Sequence, residues 1–247
     1  IISNAFCVGK LVKFTSGKAI QIDGTLIAKG NIDSKIIFTS NASTPAAGDW
    51  GYILFSDSSA DATYDPISGN YAGGSILEHA VVEYAGGVNV TNNGAVRMDN
   101  AHPFINYTAI RNNSASGIYA WNLTGSLKII NSTISNNNTA SAGGGIYAQG
   151  GDWWTHTGTI TITNCSISNN TAGGGGGIYA FVDKLTMSIS VIDQNISNGN
   201  GGGINVSGND VAITNSAINN NEANGTWTTG GGVIISAASA AISNNTI

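Results

Sequence analysis

The densest group of residues that could perform acid–base chemistry lies between positions 78 and 111. It contains two histidines, two arginines and three carboxylates: Glu78, His79, Glu83, Arg97, Asp99, His102 and Arg111. Glycan cleavage needs such groups on one face, because a lyase combines a base with cationic partners and a hydrolase uses two carboxylates at a defined separation. Polysaccharide cleavage, by a lyase or a hydrolase, is therefore the chemistry that this group could supply.

The same residues also fit a structural role. His79 occupies the turn position that Asn131 holds elsewhere in the chain. Glu83 and Arg111 are expected in one outward column, where a surface ion pair contributes about 0–1 kcal/mol. After residue 128 the only basic residue is Lys184, and the carboxylates do not recur at one position. We therefore predict no catalytic residues and a protein that is not an enzyme.

Aromatic residues form the second candidate site. The motif Gly-Ile-Tyr-Ala occurs at residues 117–120, 145–148 and 177–180. Alternation along a strand places Ile and Ala inward and Tyr outward, which predicts an exposed tyrosine ladder with Arg97 one repeat earlier in the same column. The expected ligand- or partner-binding strip consists of Arg97, Tyr119, Trp121, Tyr147, Trp153, Trp154, Tyr179 and Phe181. Either these side chains stack to stabilise the repeats, or they form a platform for sugar rings or a partner protein.

No metal site and no cofactor are predicted. His156 stands alone, and no His or Cys spacing suits zinc. In a stack of repeats Cys7 and Cys165 would lie about six repeats, or on the order of 28 Å, apart. A disulfide requires Cα atoms within about 7 Å, so both cysteines are expected to be free.

These candidate residues belong to a chain that repeats itself. An isoleucine recurs with steps of 24, 33, 25, 26 and 24 residues, at Ile110, Ile134, Ile167, Ile192, Ile218 and Ile242. Each period of about 25 residues holds three short segments that alternate apolar and polar residues between Gly and Asn, which is typical of strands. The pattern predicts an all-β parallel β-helix with three short strands per coil and about nine or ten coils.

The whole chain is interpreted as one β-helix domain. Residues 95–247 form the regular repeats, and residues 1–90 form irregular N-terminal coils with a loop near residues 56–74. Glycine runs precede the first strand of a repeat, where a sharp corner needs positive φ. Asparagines at the turns can adopt left-handed torsions and pass amide hydrogen bonds from coil to coil as an Asn ladder.

Several segments resemble a known family. The stretch Asn164-Cys165-Ser166-Ile167-Ser168-Asn169-Asn170-Thr171-Ala172, followed by a glycine run and Ile178-Tyr179, resembles repeats of right-handed parallel β-helix surface proteins, including polymorphic outer-membrane-protein-like adhesins. Residues 24–28, 36–40, 48–51 and 82–87 resemble the opening coils of large cell-surface β-helices. The resemblance implies a right-handed helix in the pectate-lyase-like superfamily, which holds enzymes, adhesins and structural proteins alike.

Composition narrows the setting and the partners. Charged residues are only 9% of the chain and the net charge is −5, which argues against a nucleic-acid partner. No segment approaches the ~18 apolar residues of a membrane span, so no membrane insertion is expected. The chain begins with Ile1, so we expect that a leader or a longer N-terminal region has been removed. An extracellular or cell-surface location follows from the resemblance.

Both ends of the sequence look like ordinary coil fragments without a polar cap. Either the chain is a segment of a longer helix, or its ends stack head to tail. The predicted function is a non-catalytic structural or adhesive β-helix, with itself or a cell-surface glycan or protein as partner. The alternatives are a carbohydrate-binding module that uses the Tyr/Trp strip, and a polysaccharide lyase or hydrolase.

Overall fold

The computed structural model describes residues 4–6, 8–151, 155–226 and 228–247. These residues form 27 β-strands and no helix. Accordingly, this part of the chain has no apolar helix of the length needed to cross a membrane. Cys7, Trp153 and Trp154 lie outside the described residues, so the predictions made for them stay predictions.

The strands are short in the first half of the chain and reach eleven residues near its end. The first fourteen are β1 (Asn4–Phe6), β2 (Leu11–Phe14), β3 (Ile20–Ile22), β4 (Leu26–Lys29), β5 (Ile36–Ser40), β6 (Ile53–Phe55), β7 (Thr63–Tyr64), β8 (Tyr71–Gly73), β9 (Ile76–Glu78), β10 (Ala80–Glu83), β11 (Gly94–Asp99), β12 (Phe104–Asn106), β13 (Ala109–Arg111) and β14 (Ser116–Trp121). The remaining thirteen are β15 (Ser126–Ile130), β16 (Thr133–Ser135), β17 (Ile146–Gln149), β18 (Thr159–Thr163), β19 (Ser166–Ser168), β20 (Thr171–Ala172), β21 (Ile178–Ser188), β22 (Val191–Asp193), β23 (Ile196–Ser197), β24 (Ile204–Thr214), β25 (Ala217–Asn219), β26 (Glu222–Ala223) and β27 (Val233–Ser243).

Each strand pairs in parallel with its equivalent in the next repeat. The largest sheet has two runs, β1-β4-β9-β12-β15-β18 and β3-β6-β11-β14-β17, and β21 joins them because it pairs with both β17 and β18. A second parallel sheet runs β2-β5-β10-β13-β16-β19-β22-β25, and a short third one runs β20-β23-β26. The described strands thus form a nearly closed, curled set of parallel sheets, which is compatible with a β-solenoid.

One strand pair departs from this pattern. Strands β7 and β8 are antiparallel and form a hairpin inside the predicted loop at residues 56–74. The sequence suggested a loop there and gave no sign of the hairpin, because only two or three residues pair on each side. The hairpin is anchored by rings, with Tyr64 edge-on to Phe104 at 5.6 Å and Tyr71 stacked on Phe104 at 6.0 Å between centroids.

The isoleucine series is confirmed for five of its six members. Ile110, Ile134, Ile167, Ile192 and Ile218 pair in register along the second sheet and are buried. Burying one such side chain contributes about 1.5–3 kcal/mol. The continuous apolar column therefore supplies much of the core between the sheets.

The prediction for the sixth member of the series, Ile242, was wrong. Ile242 pairs with Ile213 in the large sheet, 29 residues earlier, and not with Ile218. The backbone N–H of Ile218 donates to Thr246 O at 2.8 Å. A longer connection before β27 lengthens this repeat, so the 24-residue step from Ile218 to Ile242 was a coincidence of composition.

An asparagine ladder lies in the interior, next to the isoleucine column. It consists of Asn113, Asn137, Asn170, Asn195 and Asn221. The Nδ2 of each of the first four donates to the Oδ1 of the next asparagine at 2.8–3.0 Å. The same Oδ1 accepts the backbone N–H of the preceding member, as between Asn137 and Asn170 at 3.0 Å. Because buried amides are costly unless they are hydrogen-bonded, the ladder fixes the register of successive repeats.

The predicted turn chemistry is also confirmed. Asn131, Asn164 and Asn215 have φ of 50–52°, in the left-handed region. Each glycine run contains one residue of positive φ, as at Gly143 and Gly175, three residues before the first isoleucine of its strand. Asparagine and glycine reach this region with little steric cost, which explains their recurrence at the corners.

Candidate functional site

The aromatic column follows the register that the sequence predicted. Strands β11, β14, β17 and β21 place Arg97, Tyr119, Tyr147 and Tyr179 side by side. The isoleucine and alanine of each Gly-Ile-Tyr-Ala motif point inward and are buried. The rings of Tyr119 and Tyr147 are parallel with centroids 4.1 Å apart, and those of Tyr147 and Tyr179 are 5.7 Å apart.

The expectation that this ladder is exposed was wrong. Arg97 and Tyr119 retain only 8% and 9% of their accessible surface, and Tyr147 and Tyr179 are half-buried. Two contacts explain this burial: the stacked tyrosine rings cover the faces that they turn toward each other, and Tyr52 and Trp121 cover the Arg97 guanidinium. Sugar rings stack on open aromatic faces, and the faces that Tyr119, Tyr147 and Tyr179 turn toward one another are occupied by this stacking.

Arg97 closes one end of the column. Its guanidinium lies over the Tyr52 ring at 4.3 Å and over the Trp121 ring at 5.2 Å. Nε donates to Asn92 O at 2.9 Å, and Nη2 donates to Thr91 O at 3.1 Å. Burial lowers the pKa of Arg97, whereas contacts with Tyr52 act in the opposite direction. Cation–π contacts and backbone carbonyls thus hold this side chain in place.

The phenols of the column are poor acid–base groups. Burial is the main reason why the pKa of Tyr119, Tyr147 and Tyr179 is raised above its usual value. The Tyr147 hydroxyl donates to Gln149 Oε1 at 2.7 Å. All three phenols are therefore protonated at neutral pH and act as packing groups or hydrogen-bond donors.

The remaining aromatic candidates flank the column. Trp121 meets Tyr119 edge-on with centroids 6.0 Å apart, and Phe181 lies 5.2 Å from Tyr179. His156 stacks on Phe181 at 6.3 Å, and its Nε2 is 3.3 Å from Ser207 Oγ. The structure therefore brings together six of the eight predicted strip residues, and the other two are the tryptophans outside the described residues.

The acid–base candidates of the middle region are dispersed over different sheets. Glu83 and Arg111 form the predicted surface ion pair, with Arg111 Nη2 2.9 Å from Glu83 Oε2. Glu78 pairs with Lys29 on the large sheet at 3.0 Å. Asp99 accepts a hydrogen bond from Asn122 Nδ2 at 2.8 Å. Each group is thus matched to a local partner, and within the described residues no three His, Cys, Asp or Glu side chains gather where a metal could bind.

His102 has a role that the sequence did not indicate. It is buried, its Nε2 accepts the Gly125 N–H at 3.0 Å, and its backbone N–H donates to Asp61 Oδ1 at 2.8 Å. Because Nε2 accepts, the ring proton is assigned to Nδ1. Nδ1 lies 3.1 Å from Asp61 Oδ2 but outside good hydrogen-bond geometry. His102 therefore ties the hairpin insertion to the sheet.

No protein-family model matches the chain, and neither a curated protein nor a solved structure shows significant similarity to it. The function is therefore inferred from the contacts within the molecule.

Proposed function

We propose that this chain is a right-handed parallel β-helix of about nine coils that serves as a non-catalytic structural or adhesive scaffold outside the cell. The observation that carries the proposal is the interior asparagine ladder from Asn113 to Asn221. It ties each repeat to the next through fully satisfied buried amides. Such a device maintains a long, regular stack and contributes nothing to chemistry on a substrate.

The aromatic column supports the same role. Its rings are stacked face to face along the direction in which the repeats follow one another. Aromatic pairs of this kind contribute about 0.5–1.5 kcal/mol beyond the area they bury. The column is best explained as a second set of contacts that stabilises the packing of successive repeats. This explanation makes carbohydrate binding by the Tyr/Trp strip the weaker alternative.

The enzymatic alternative lacks a gathered set of groups. Among the described residues, Glu78, Glu83 and Asp99 lie on different strands, and each is occupied by a lysine, arginine or asparagine partner. A lyase or hydrolase needs such groups around one reacting bond. Scaffolding is therefore favoured over glycan cleavage.

The distribution of charge favours self-association as the partner interaction. Residues 1–40 contain five lysines and two aspartates, a net charge of +3. Residues 185–247 contain three carboxylates and no lysine or arginine, a net charge of −3. Opposite charges at the two ends of a stack steer copies into end-to-end contact. A cell-surface glycan or protein is the other partner in this proposal, and the location is the cell surface or the extracellular medium.

Negative-stain electron microscopy at low and high salt tests the scaffold role. A nine-coil stack has a length of roughly 43 Å at ~4.8 Å per coil. We expect rods that are multiples of this length at low ionic strength and that shorten to single units near 1 M salt, where the Debye length is about 3 Å. A compact particle without a rod axis would contradict the fold. Turnover of a polyuronate or a neutral glycan would contradict the non-catalytic role.

A further inference from the structure

The outer turn between the large sheet and the second sheet carries one left-handed residue in each repeat from His79 onward. The residues of this turn column are His79, Tyr107, Asn131, Asn164, Ile189, Asn215 and Asn244, with φ between 46° and 55°. The backbone N–H of each turn-column residue from His79 to Asn215 donates to a carbonyl of the next repeat, as from Tyr107 to Ile130 O and from Ile189 to Thr214 O at 3.2 Å. The column therefore follows the stack along one side of the molecule.

Three members of the turn column are poorly suited to its backbone. Asparagine tolerates the left-handed region, whereas other L-residues lose roughly 1–2 kcal/mol there, and a β-branched residue is a clear outlier. His79, Tyr107 and Ile189 occupy this conformation although asparagine would fit it. They also forgo hydrogen bonds like the one from Asn164 Nδ2 to Asn131 Oδ1 at 2.8 Å. A single substitution to asparagine would relieve the backbone strain at each of these positions. That the strained residues are present instead points to a functional role for their side chains.

The strained residues border two hollows on the surface. A hollow of about 510 Å³ is lined by Tyr107 and His79 together with Ile32 and Lys35. A second hollow of about 480 Å³ is lined by three apolar residues, Ile189, Val191 and Ala217, and by five polar ones, Ser190, Asn215, Ser216, Asn244 and Thr246. The apolar side chains of each hollow form one apolar patch. Tyr107 is 49% exposed and Ile189 is 60% exposed.

The turn column separates these two apolar patches with polar residues. Between Tyr107 and Ile189 it presents Asn131 and Asn164, and the neighbouring outward positions of the second sheet carry Thr133 and Ser166. The surface from the hollow at Tyr107 to the hollow at Ile189, which we call the groove, thus has an apolar patch at each end and polar side chains in the two repeats between them.

The spacing of the patches identifies the shape of a partner. Tyr107 and Ile189 are three repeats apart, which corresponds to about 14 Å at ~4.8 Å per repeat. An extended peptide advances about 3.3–3.4 Å per residue, so residues i and i+4 lie about 13–14 Å apart on one face of the strand. Residue i+2 would then face the amides of Asn131 and Asn164.

We propose that this groove binds an extended peptide segment of a partner protein. The segment has aliphatic residues at i and i+4 and a small polar residue at i+2. An acidic residue next to the first aliphatic one is favoured by the Lys35 ammonium at the Tyr107 end of the groove. A peptide is favoured over a glycan because Ile189 and Val191 offer aliphatic contacts, and because one face of the Tyr107 ring is covered by His79 at 4.7 Å. The proposal goes beyond the scaffold role, since the groove would bind a peptide whether or not copies assemble end to end.

Fluorescence anisotropy with two labelled peptides tests the spacing. The matching probe is Asp-Ile-Ser-Thr-Ser-Ile-Ser, and the control is Asp-Ile-Ser-Thr-Ile-Ser-Ser, which places its isoleucines on opposite faces of an extended chain. The full chain is expected to bind the matching probe about tenfold more tightly, a difference of about 1.4 kcal/mol. Equal affinity for the two peptides, or no binding of either, would overturn the proposal.

Substitutions separate binding from stability. Ile189→Asn is expected to raise the melting temperature, because strain is relieved, and to weaken binding of the matching probe about tenfold. Tyr107→Asn should act in the same direction. Ile67→Asn is the matched control, since Ile67 is 95% exposed at the tip of the hairpin and outside the groove. It should leave affinity unchanged.

Two results with these variants would contradict the proposal. If Ile189→Asn raises the melting temperature while probe affinity stays the same, the residue is only a strained turn. If sedimentation velocity shows that Ile189→Asn abolishes lateral dimers of the chain and the probe does not compete with them, the groove binds a second copy and not a partner peptide.

Discussion

Two asparagine-bearing corners of the repeat differ in how much variation they accept. The interior corner has asparagine at every position from Asn113 to Asn221, and each amide is hydrogen-bonded to the next. The outer turn column replaces asparagine by histidine, tyrosine and isoleucine in three repeats. Water can satisfy a polar group at the outer corner but not at the inner one. The inner corner therefore determines register, while the outer corner can vary and acquire a binding role.

The largest decrease in the free energy of unfolding is expected for Asn170→Ala at the interior corner. The substitution removes the acceptor of both the backbone N–H and Nδ2 of Asn137, and the donor to Asn195 Oδ1. Leaving these buried groups unpaired should lower the free energy of unfolding by about 3 kcal/mol. Asn164→Ala at the outer corner is the matched control, with an expected loss of about 1 kcal/mol from backbone strain. Urea denaturation of the three proteins measures the difference, and similar losses for both variants would remove the distinction between the corners.

A slightly smaller loss of stability is expected for Gly177→Ala, because Gly177 lies next to the interior ladder. A Cβ at Gly177 would lie 2.6 Å from Gly203 O and 3.1 Å from Asn195 Nδ2. Since the backbone of two repeats would have to separate, Gly177→Ala should destabilise the protein by about 2 kcal/mol. Gly24→Ala, which meets nothing within 4 Å, should stay within about 0.5 kcal/mol of the parent. Thermal unfolding followed by circular dichroism compares them, and a tolerated Gly177→Ala would show that the repeats are packed more loosely than described.

An intermediate loss of stability is expected for a substitution in the aromatic column. Tyr147 is the central ring, stacked on Tyr119 and close to Tyr179. Tyr147→Leu keeps most of the apolar volume and removes the ring stacking, so we expect a loss of about 1–2 kcal/mol. Leu54 occupies the same column beside Arg97, which indicates that the position accepts leucine. An unchanged midpoint of denaturation would mean that the rings do not fasten the repeats together.

The smallest effect concerns the buried thiol of Cys165 and depends on pH. Burial raises the pKa of Cys165 to about 11, whereas a thiol in the unfolded chain titrates near about 8.5. The unfolded state then loses its proton first, so stability is full below about pH 8.5 and declines as the pH rises toward 11.

Cys165→Ser is the matched variant, because Ser132 and Ser190 hold the equivalent positions in the neighbouring repeats. The difference in unfolding free energy between parent and variant should be constant from pH 6 to about pH 8 and change by about 1 kcal/mol or more by pH 10. A difference that does not vary with pH would contradict the burial of the thiol.

The sequence predicted the parallel pairing of repeats better than the fate of single side chains. Period and alternation gave the isoleucine column up to Ile218, because inward apolar residues must meet at every repeat. They failed at Ile242, since a change in the length of one connection shifts which strand a residue joins. The exposure of Tyr119 was also predicted wrongly. Alternation predicts that its side chain points outward from the sheet, but it does not predict how much of that side chain its neighbours cover.

The sequence predicted an Asn ladder but assigned it to the turn asparagines, whereas the interior ladder runs through Asn137, Asn170 and Asn195. An asparagine follows the column isoleucine by three residues at Asn137, Asn170 and Asn195. In a chain so rich in asparagine this recurrence was hidden among the turn asparagines beside it. Spacing from a buried residue, and not asparagine content, is the signal that would have found it. The surface pair of Glu83 and Arg111 was predicted correctly because both lie on strands in register.

The most direct test of the account is hydrogen exchange of asparagine side-chain amides by NMR. If the repeats stack with their inner asparagines in contact, the Nδ2 protons of Asn137, Asn170 and Asn195 should exchange at least about a hundredfold more slowly than those of Asn164. Comparable fast exchange at all four residues would show that the interior ladder does not exist, and the stacking of equivalent residues would be wrong with it.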